Sequence, residues 1–156
     1  LTTLPLMMKG YDLNSGAEKL LTSAAKAQGK PLGQLETIEQ QLGIFDSLGT
    51  KQQIEFLDVT LDGVPEVTTQ IDLLVDAWGK GDLATLDKLL NEGMESYPGL
   101  YDALLTNRNA NWVKWIKARM DKPGTVFMAV GAGHLAGERS VQDLLAQRGI
   151  KTARVQ

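Results

Sequence analysis

Cysteine is absent from the 156 residues, which excludes a disulfide framework, a thiolate metal site and a cysteine nucleophile. Histidine occurs once, at His134, so a two-histidine metal motif cannot form within this polypeptide. No apolar run approaches the ~20 residues that a membrane-spanning helix needs. Aromatic residues make up only 6%, and no low-complexity or collagen-like stretch is present. The chain opens Leu1-Thr-Thr-Leu-Pro-Leu-Met-Met-Lys9, with neither an initiator Met nor the pattern of a secretory leader. It therefore reads as part of a longer protein. What is present is ordinary for a folded domain: 43% apolar and 22% charged residues. A single domain over 1–156 is expected, and a chain of this length buries roughly 70% of its unfolded surface.

The net charge of −3 is unevenly distributed. Fourteen of the nineteen acids fall within 31–106, whereas residues 107–156 hold nine of the sixteen Lys and Arg. A basic third beside an acidic middle is one signature of nucleic-acid binding. Here the basic residues are scattered among core positions. We therefore expect the two parts to lie against each other, with no nucleic-acid partner.

Apolar periodicity and caps predict seven helices in the first 120 residues. They cover 14–28 with Asn14 as cap, about 37–47 with a Thr37/Gln40 capping box, and a third from Thr50. A fourth starts near Pro65, a fifth follows Asp82, a sixth runs from Pro98 through Leu104, and the last spans Asn107 to Met120. The pattern then changes. Thr125–Val130 is a continuous apolar run with β-branched and aromatic residues, which argues for a buried strand. A tight loop, Gly131-Ala-Gly-His-Leu-Ala-Gly137, a helix from Ser140 to Arg148 and a last strand from Lys151 to Val155 complete a βαβ unit. With 32–35 as a further strand, the predicted fold is helix-rich α/β: a small parallel sheet with a large all-helical insertion.

Ligands of open parallel sheets bind beyond the carboxyl ends of the strands. Glu36 and His134 follow two of the expected strands. If those strands are neighbours, a carboxylate and an imidazole meet in one crevice, a ligand set suited to Zn, Mn, Co or Fe. The plainer reading makes Glu36 an early-turn helix acid and His134 a loop residue bonded to backbone. Asn107-Arg108-Asn109 opens the long helix. Asn107 is a candidate cap, Arg108 offers a guanidinium fork, and Asn109 would hold a substrate carbonyl or a water. The plain alternative is a cap beside a surface charge. Gly131-x-Gly133-x-x-Ala136 after a strand matches a dinucleotide fingerprint, but no acid follows ~20 residues on, as such a site requires. Walker A, G-x-S-x-G and H-E-x-x-H motifs are all absent. The pair Trp112 and Trp115, flanked by Lys114, Lys117 and Arg119, reads as a core stripe with snorkelling flanks.

Taken in order, these landmarks resemble the TraB/GumN family, which includes PrgY and Tiki-like proteins. The matching stretches are Gly16-Ala-Glu18, Gly29-Lys-Pro31, Leu35-Glu36-Thr37 with Glu39-Gln40-Gln41, and Ala77-Trp78 with Gly81-Asp82. Tyr101, Arg108-Asn109 with Trp112, Val130-Gly-Ala-Gly-His-Leu135 with Gly137, and Leu144-Leu145 with Gly149 complete the set. The resemblance implies a metal-dependent hydrolase with a fold related to the erythromycin-esterase and ChaN-like proteins. Its reaction would be attack of a metal-activated water on a peptide or amide bond. Family members carry two G-x-x-H motifs, an acidic residue and an Arg-Asn pair. By that pattern Gly131–His134 looks like the second motif, Glu36 the acid, and Arg108-Asn109 the pair.

The resemblance thus gives His134 and Glu36 as metal ligands, with Glu36 alternatively a general base. Arg108 or Asn109 would stabilise the oxyanion. Glu18 departs from the Asp of the family pattern. No first G-x-x-H exists here, because His134 is the only histidine. A divalent metal (Mn, Co or Zn) held by this chain alone would then bind weakly, and the chain is expected to be the C-terminal portion of such a domain. The remaining expectations are a peptide or protein substrate, export from a bacterial cytoplasm by analogy, and a homodimer formed through an exposed sheet edge. The rival from another class is a non-catalytic module that binds a peptide or protein. Phosphate or nucleotide binding at the glycine loop is a third option.

Overall fold

The computed structural model describes residues 4–12 and 14–155. Among the described residues ten α-helices follow one another: α1 Leu4–Met8, α2 Ala17–Ala27, α3 Ile38–Ser47, α4 Thr50–Gly63, α5 Val67–Lys80, α6 Leu83–Leu90, α7 Glu92–Glu95, α8 Pro98–Tyr101, α9 Asn107–Met120 and α10 Val141–Ala146. Local chemistry sets several of their starts. The Thr37 hydroxyl accepts from the Gln40 N–H at 3.1 Å while the Gln40 side chain accepts from the Thr37 N–H at 2.8 Å, which closes a reciprocal box. Asp82 accepts from the Thr85 N–H and caps α6, and Ser140 accepts from the Asp143 N–H and caps α10.

Other boundaries differ from expectation. Asn14 does not cap α2; Gly16 holds that position, and the Asn14 amide oxygen accepts from Lys19. Asn107 is no cap either. The chain passes from α8 into α9 through a π-helical turn, Asp102–Thr106, in which the Asn107 N–H donates to the Asp102 carbonyl. The helix is already running at that point, so the start of α9 has no free N–H groups to offer an anion.

The parallel sheet is not present: no strand occurs among the described residues. Residues 31–34, 125–130 and 151–155 lie outside helices, and no ladder joins them. A strand is defined by hydrogen bonds to a neighbour, so apolar β-branched sequence is insufficient when no partner lies alongside. The α/β assignment and the βαβ unit are therefore corrected to an all-helical arrangement with unpaired segments. The sheet edge on which the expected homodimer rested is likewise absent from the described residues.

Two apolar clusters hold the molecule together. Trp112 and Val113 of α9 pack with Val141, Leu144 and Leu145 of α10. Ala77 of α5 packs with Leu86 of α6 and with Ala136. The glycine loop is shared between them: Leu135 and Val130 flank the first cluster, and Ala132 and Ala136 belong to the second. His134 sits in this loop, on a 3-10 turn over Ala132–His134, and is pinned from both sides.

Candidate functional site

A cavity of about 840 Å3 opens beside this loop. Its walls are the segments 31–36 and 126–131, and its floor carries Arg108, Trp112 and His134. The size falls within the roughly 300–1,000 Å3 usual for ligand sites.

Arg108 and Glu36 meet there as a bidentate pair. Arg108 Nε donates to Glu36 Oε1 at 2.9 Å, and Nη2 donates to Oε2 at 2.7 Å. Arg108 Nη1 donates to the Leu104 carbonyl at 3.1 Å, which fixes the plane of the guanidinium. Burial opposes ionisation of Glu36. The hydrogen bonds and charge of Arg108 outweigh it, and the carboxyl sits below its ordinary range. Arg108 also lies over the Trp112 ring, 5.1 Å from its centroid. The buried indole N–H of Trp112 makes no well-formed hydrogen bond but faces Glu36, whose carboxyl it helps to keep below its ordinary range.

His134 is 7% exposed, and its ring packs on Trp112 with centroids 4.4 Å apart. Burial, reinforced by the nearby Arg108 charge and partly offset by Glu36, pushes its pKa down to about 4. The imidazole is therefore neutral at physiological pH. Its Nδ1 lies 2.6 Å from Asn109 Oδ1, and Asn109 Nδ2 donates to the Arg139 carbonyl at 2.9 Å.

All four residues singled out in the sequence thus lie in one neighbourhood. Glu36, Arg108 and His134 line the cavity, whereas Asn109 is buried behind His134. The π-helical turn contributes to this placement. Its extra residue per turn rotates the start of α9 relative to α8, and such turns recur at functional sites.

Two further residues, Asn91 and Asp87, support the site without being singled out in the sequence. Asn91, 1% exposed, sends its Nδ2 to the carbonyls of Gly133 at 3.2 Å and Ala136 at 3.4 Å and to Asp87 at 2.7 Å. It clamps the histidine loop onto α6. Gly137 has φ +73°, and the Asp87 carboxylate occupies the space a Cβ would need. Nothing local in the sequence marks Asn91 as a clamp, because the loop carbonyls it binds, those of Gly133 and Ala136, lie more than 40 positions away. Trp112 reads as core by its spacing and as part of the Arg108-Asn109 landmark by resemblance, and neither reading places its ring against His134.

A resident metal is not supported by these side chains on their own. Among the described residues no group of three or more His, Asp or Glu could hold an ion. The cavity offers one imidazole and one carboxylate, and both oxygens of that carboxylate already accept from Arg108. A zinc site ordinarily uses at least three protein ligands.

A buried neutral histidine beside an arginine–carboxylate pair, on a glycine-rich loop, defines a small polar cleft in a helical protein. The chain belongs to the TraB/PrgY/gumN family, whose sequence profile matches residues 1–154. It is 32% identical over 136 residues to the uncharacterized protein YbaP of Escherichia coli (strain K12), which covers 87% of this chain and 50% of YbaP. The YbaP of Shigella flexneri matches to the same extent. The zebrafish (Danio rerio) protein named metalloprotease TIKI2 is 26% identical over 158 residues, 83% of this chain and 30% of its own length. The chain therefore spans about half the length of the YbaP proteins it matches. No solved structure matches.

Proposed function

We propose that this chain supplies the catalytic cleft of a hydrolase acting on peptide or amide bonds. The observation that carries the reading is the neutral His134 imidazole lining the cavity beside the oriented Arg108. The name of the TIKI2 relative supports the reaction class. In this reading a peptide carbonyl enters the cavity and points at the N–H groups of Arg108. Water attacks the carbonyl carbon, and the electron pair of the C=O bond moves onto oxygen. The donors face the charge that develops there. His134 accepts a proton from the attacking water and returns it to the leaving nitrogen as the C–N bond breaks. A base of pKa about 4 is weak, so the guanidinium must carry much of the stabilisation. Glu36 keeps that guanidinium in place, a role distinct from ligand or base. The family resemblance brings a divalent metal with it, but His134 and Glu36 are too few ligands, and no step here runs through one.

Incubating the chain with a mixed peptide library and following fragments by mass spectrometry tests the proposal. His134→Ala and Arg108→Ala should each lower cleavage about 100-fold or more, in keeping with loss of a proton acceptor or an oxyanion donor. Undiminished cleavage in both variants would overturn it. Capture of a peptide without cleavage is the second reading. The Glu36–Arg108 pair favours it, because it withholds the carboxylate from acid–base work. Tight peptide binding that survives EDTA and His134→Ala, with no fragments formed, would select it.

A further inference from the structure

His134 has two ring nitrogens, and catalysis or ligand binding depends on which one carries the proton. The groups around Asn109 settle that question. Asn109 is 2% exposed and contacts His134 Nδ1 through Oδ1 at 2.6 Å and the Arg139 carbonyl through Nδ2 at 2.9 Å. Exchanging the amide oxygen and nitrogen would set Oδ1 against the Arg139 carbonyl, two acceptors at hydrogen-bond distance with no proton between them. The amide nitrogen therefore faces Arg139, and its oxygen faces the imidazole. An amide oxygen has no proton to give, so the proton in that short contact belongs to His134 Nδ1.

The Arg139 carbonyl is itself held in an unusual place. Arg139 is the one non-glycine residue with positive φ among the described residues, at +59°. That conformation is unfavourable for a side-chain-bearing residue and persists where its surroundings over-determine it. Three contacts do so. The Arg139 N–H donates to Asp143 at 3.0 Å, its guanidinium donates to Asp102 at 3.0 Å, and the same guanidinium lies 4.4 Å from the centroid of the Tyr101 ring. Tyr101 and Asp102 lie at the junction of α8 with the π-helical turn, so the element that sets the phase of Asn109 also anchors the carbonyl that orients it.

We propose that Asn109 is a positioning residue, which accepts the Nδ1 proton of His134 and fixes the imidazole in the tautomer whose Nε2 lone pair is available to the cavity. The assignment deepens the hydrolase reading above, on which its catalytic consequence rests. It moves Asn109 from contact with substrate to contact with the histidine. It also means that Nε2, and not Nδ1, takes the proton in the reaction or meets a ligand.

The single histidine makes the test unambiguous, because every imidazole 15N signal belongs to His134. Long-range 1H–15N correlation spectra at neutral pH should show a protonated Nδ1 and an unprotonated Nε2. A proton on Nε2 in the unmodified chain would overturn the assignment, and that measurement needs no variant. Asn109→Ala should move the proton at least partly to Nε2 and lower peptide cleavage about 10- to 100-fold, as loss of an orienting partner does. An unchanged tautomer in Asn109→Ala would overturn the proposal even if cleavage fell. Cleavage undetectable in every form, with the tautomer as stated, would sink the hydrolase reading and leave the role of Asn109 standing.

Discussion

Glu36 and Arg108 show why a residue's type does not fix its task. A carboxylate following an extended segment reads equally well as a ligand, a base or a helix acid. Its partner decides, and here the partner is a guanidinium 72 positions away. The pair is partly shielded, with side-chain exposures of 22% and 13%. Removing one member leaves the other charge partly desolvated. Glu36→Ala should therefore cost about 2 kcal/mol in urea unfolding, somewhat less than the 3–5 of a fully buried pair. Glu36→Gln, which keeps an acceptor for Arg108, should cost less than the alanine change; equal costs would remove the ion pair from the account. His134 makes a second prediction. Its pKa falls from 6.5 in the unfolded chain to about 4 when folded, so the unfolded chain binds more protons between those values. Stability should hold above pH 6.5 and decline as pH drops toward 4, by an amount on the order of 3 kcal/mol from this residue. The decline should be smaller in His134→Gln, as measured by urea midpoints across that range.

Elements were legible where their signals are local. Thr37 with Gln40, and Asp82, cap the helices assigned to them because a cap needs only residues a few positions apart, whereas Ser140, expected as the first residue of its helix, is its cap. The extended runs were misread for the converse reason. Thr125–Val130 has strand composition, but a ladder depends on a neighbour that composition cannot supply. The π-helical turn was invisible too, since one inserted residue leaves the apolar pattern of 98–120 nearly intact. The glycine loop carries its own test. Gly137→Ala would force a positive φ on alanine and press its Cβ into Asp87. It should destabilise the chain by about 2–4 kcal/mol. Gly33→Ala, with open space around the position, should be within about 0.5 kcal/mol of neutral. A silent Gly137→Ala would mean that the clamp from Asp87 and Asn91 does not hold the histidine loop.

At the scale of the molecule, burial is lopsided. Leu100, Val113, Asn91 and Asn109 are almost wholly enclosed, whereas α2, α3 and α4 bury no residue fully. Phe127 is 78% exposed on the rim of the cavity. Hydrogen exchange should therefore divide the chain. Amides of α9 should be among the slowest, and those of 125–130, which have no ladder, should exchange at close to unprotected rates. Protection of 125–130 comparable to α9 would show that something covers this wall in solution. The candidate site combines chain regions that only tertiary structure unites. The family resemblance singled out all four residues, but it did not reveal that Glu36 serves Arg108 or that Asn109 serves His134.

The central claim is that the imidazole, the guanidinium and the carboxylate act on one another across a single cavity. An NMR titration of the sole histidine tests this most directly, comparing the unmodified chain with Arg108→Met and Glu36→Gln. The account predicts a midpoint near 4 that rises when the Arg108 charge is removed and falls further when the Glu36 charge is removed. A midpoint near 6.5 that neither substitution moves would contradict it.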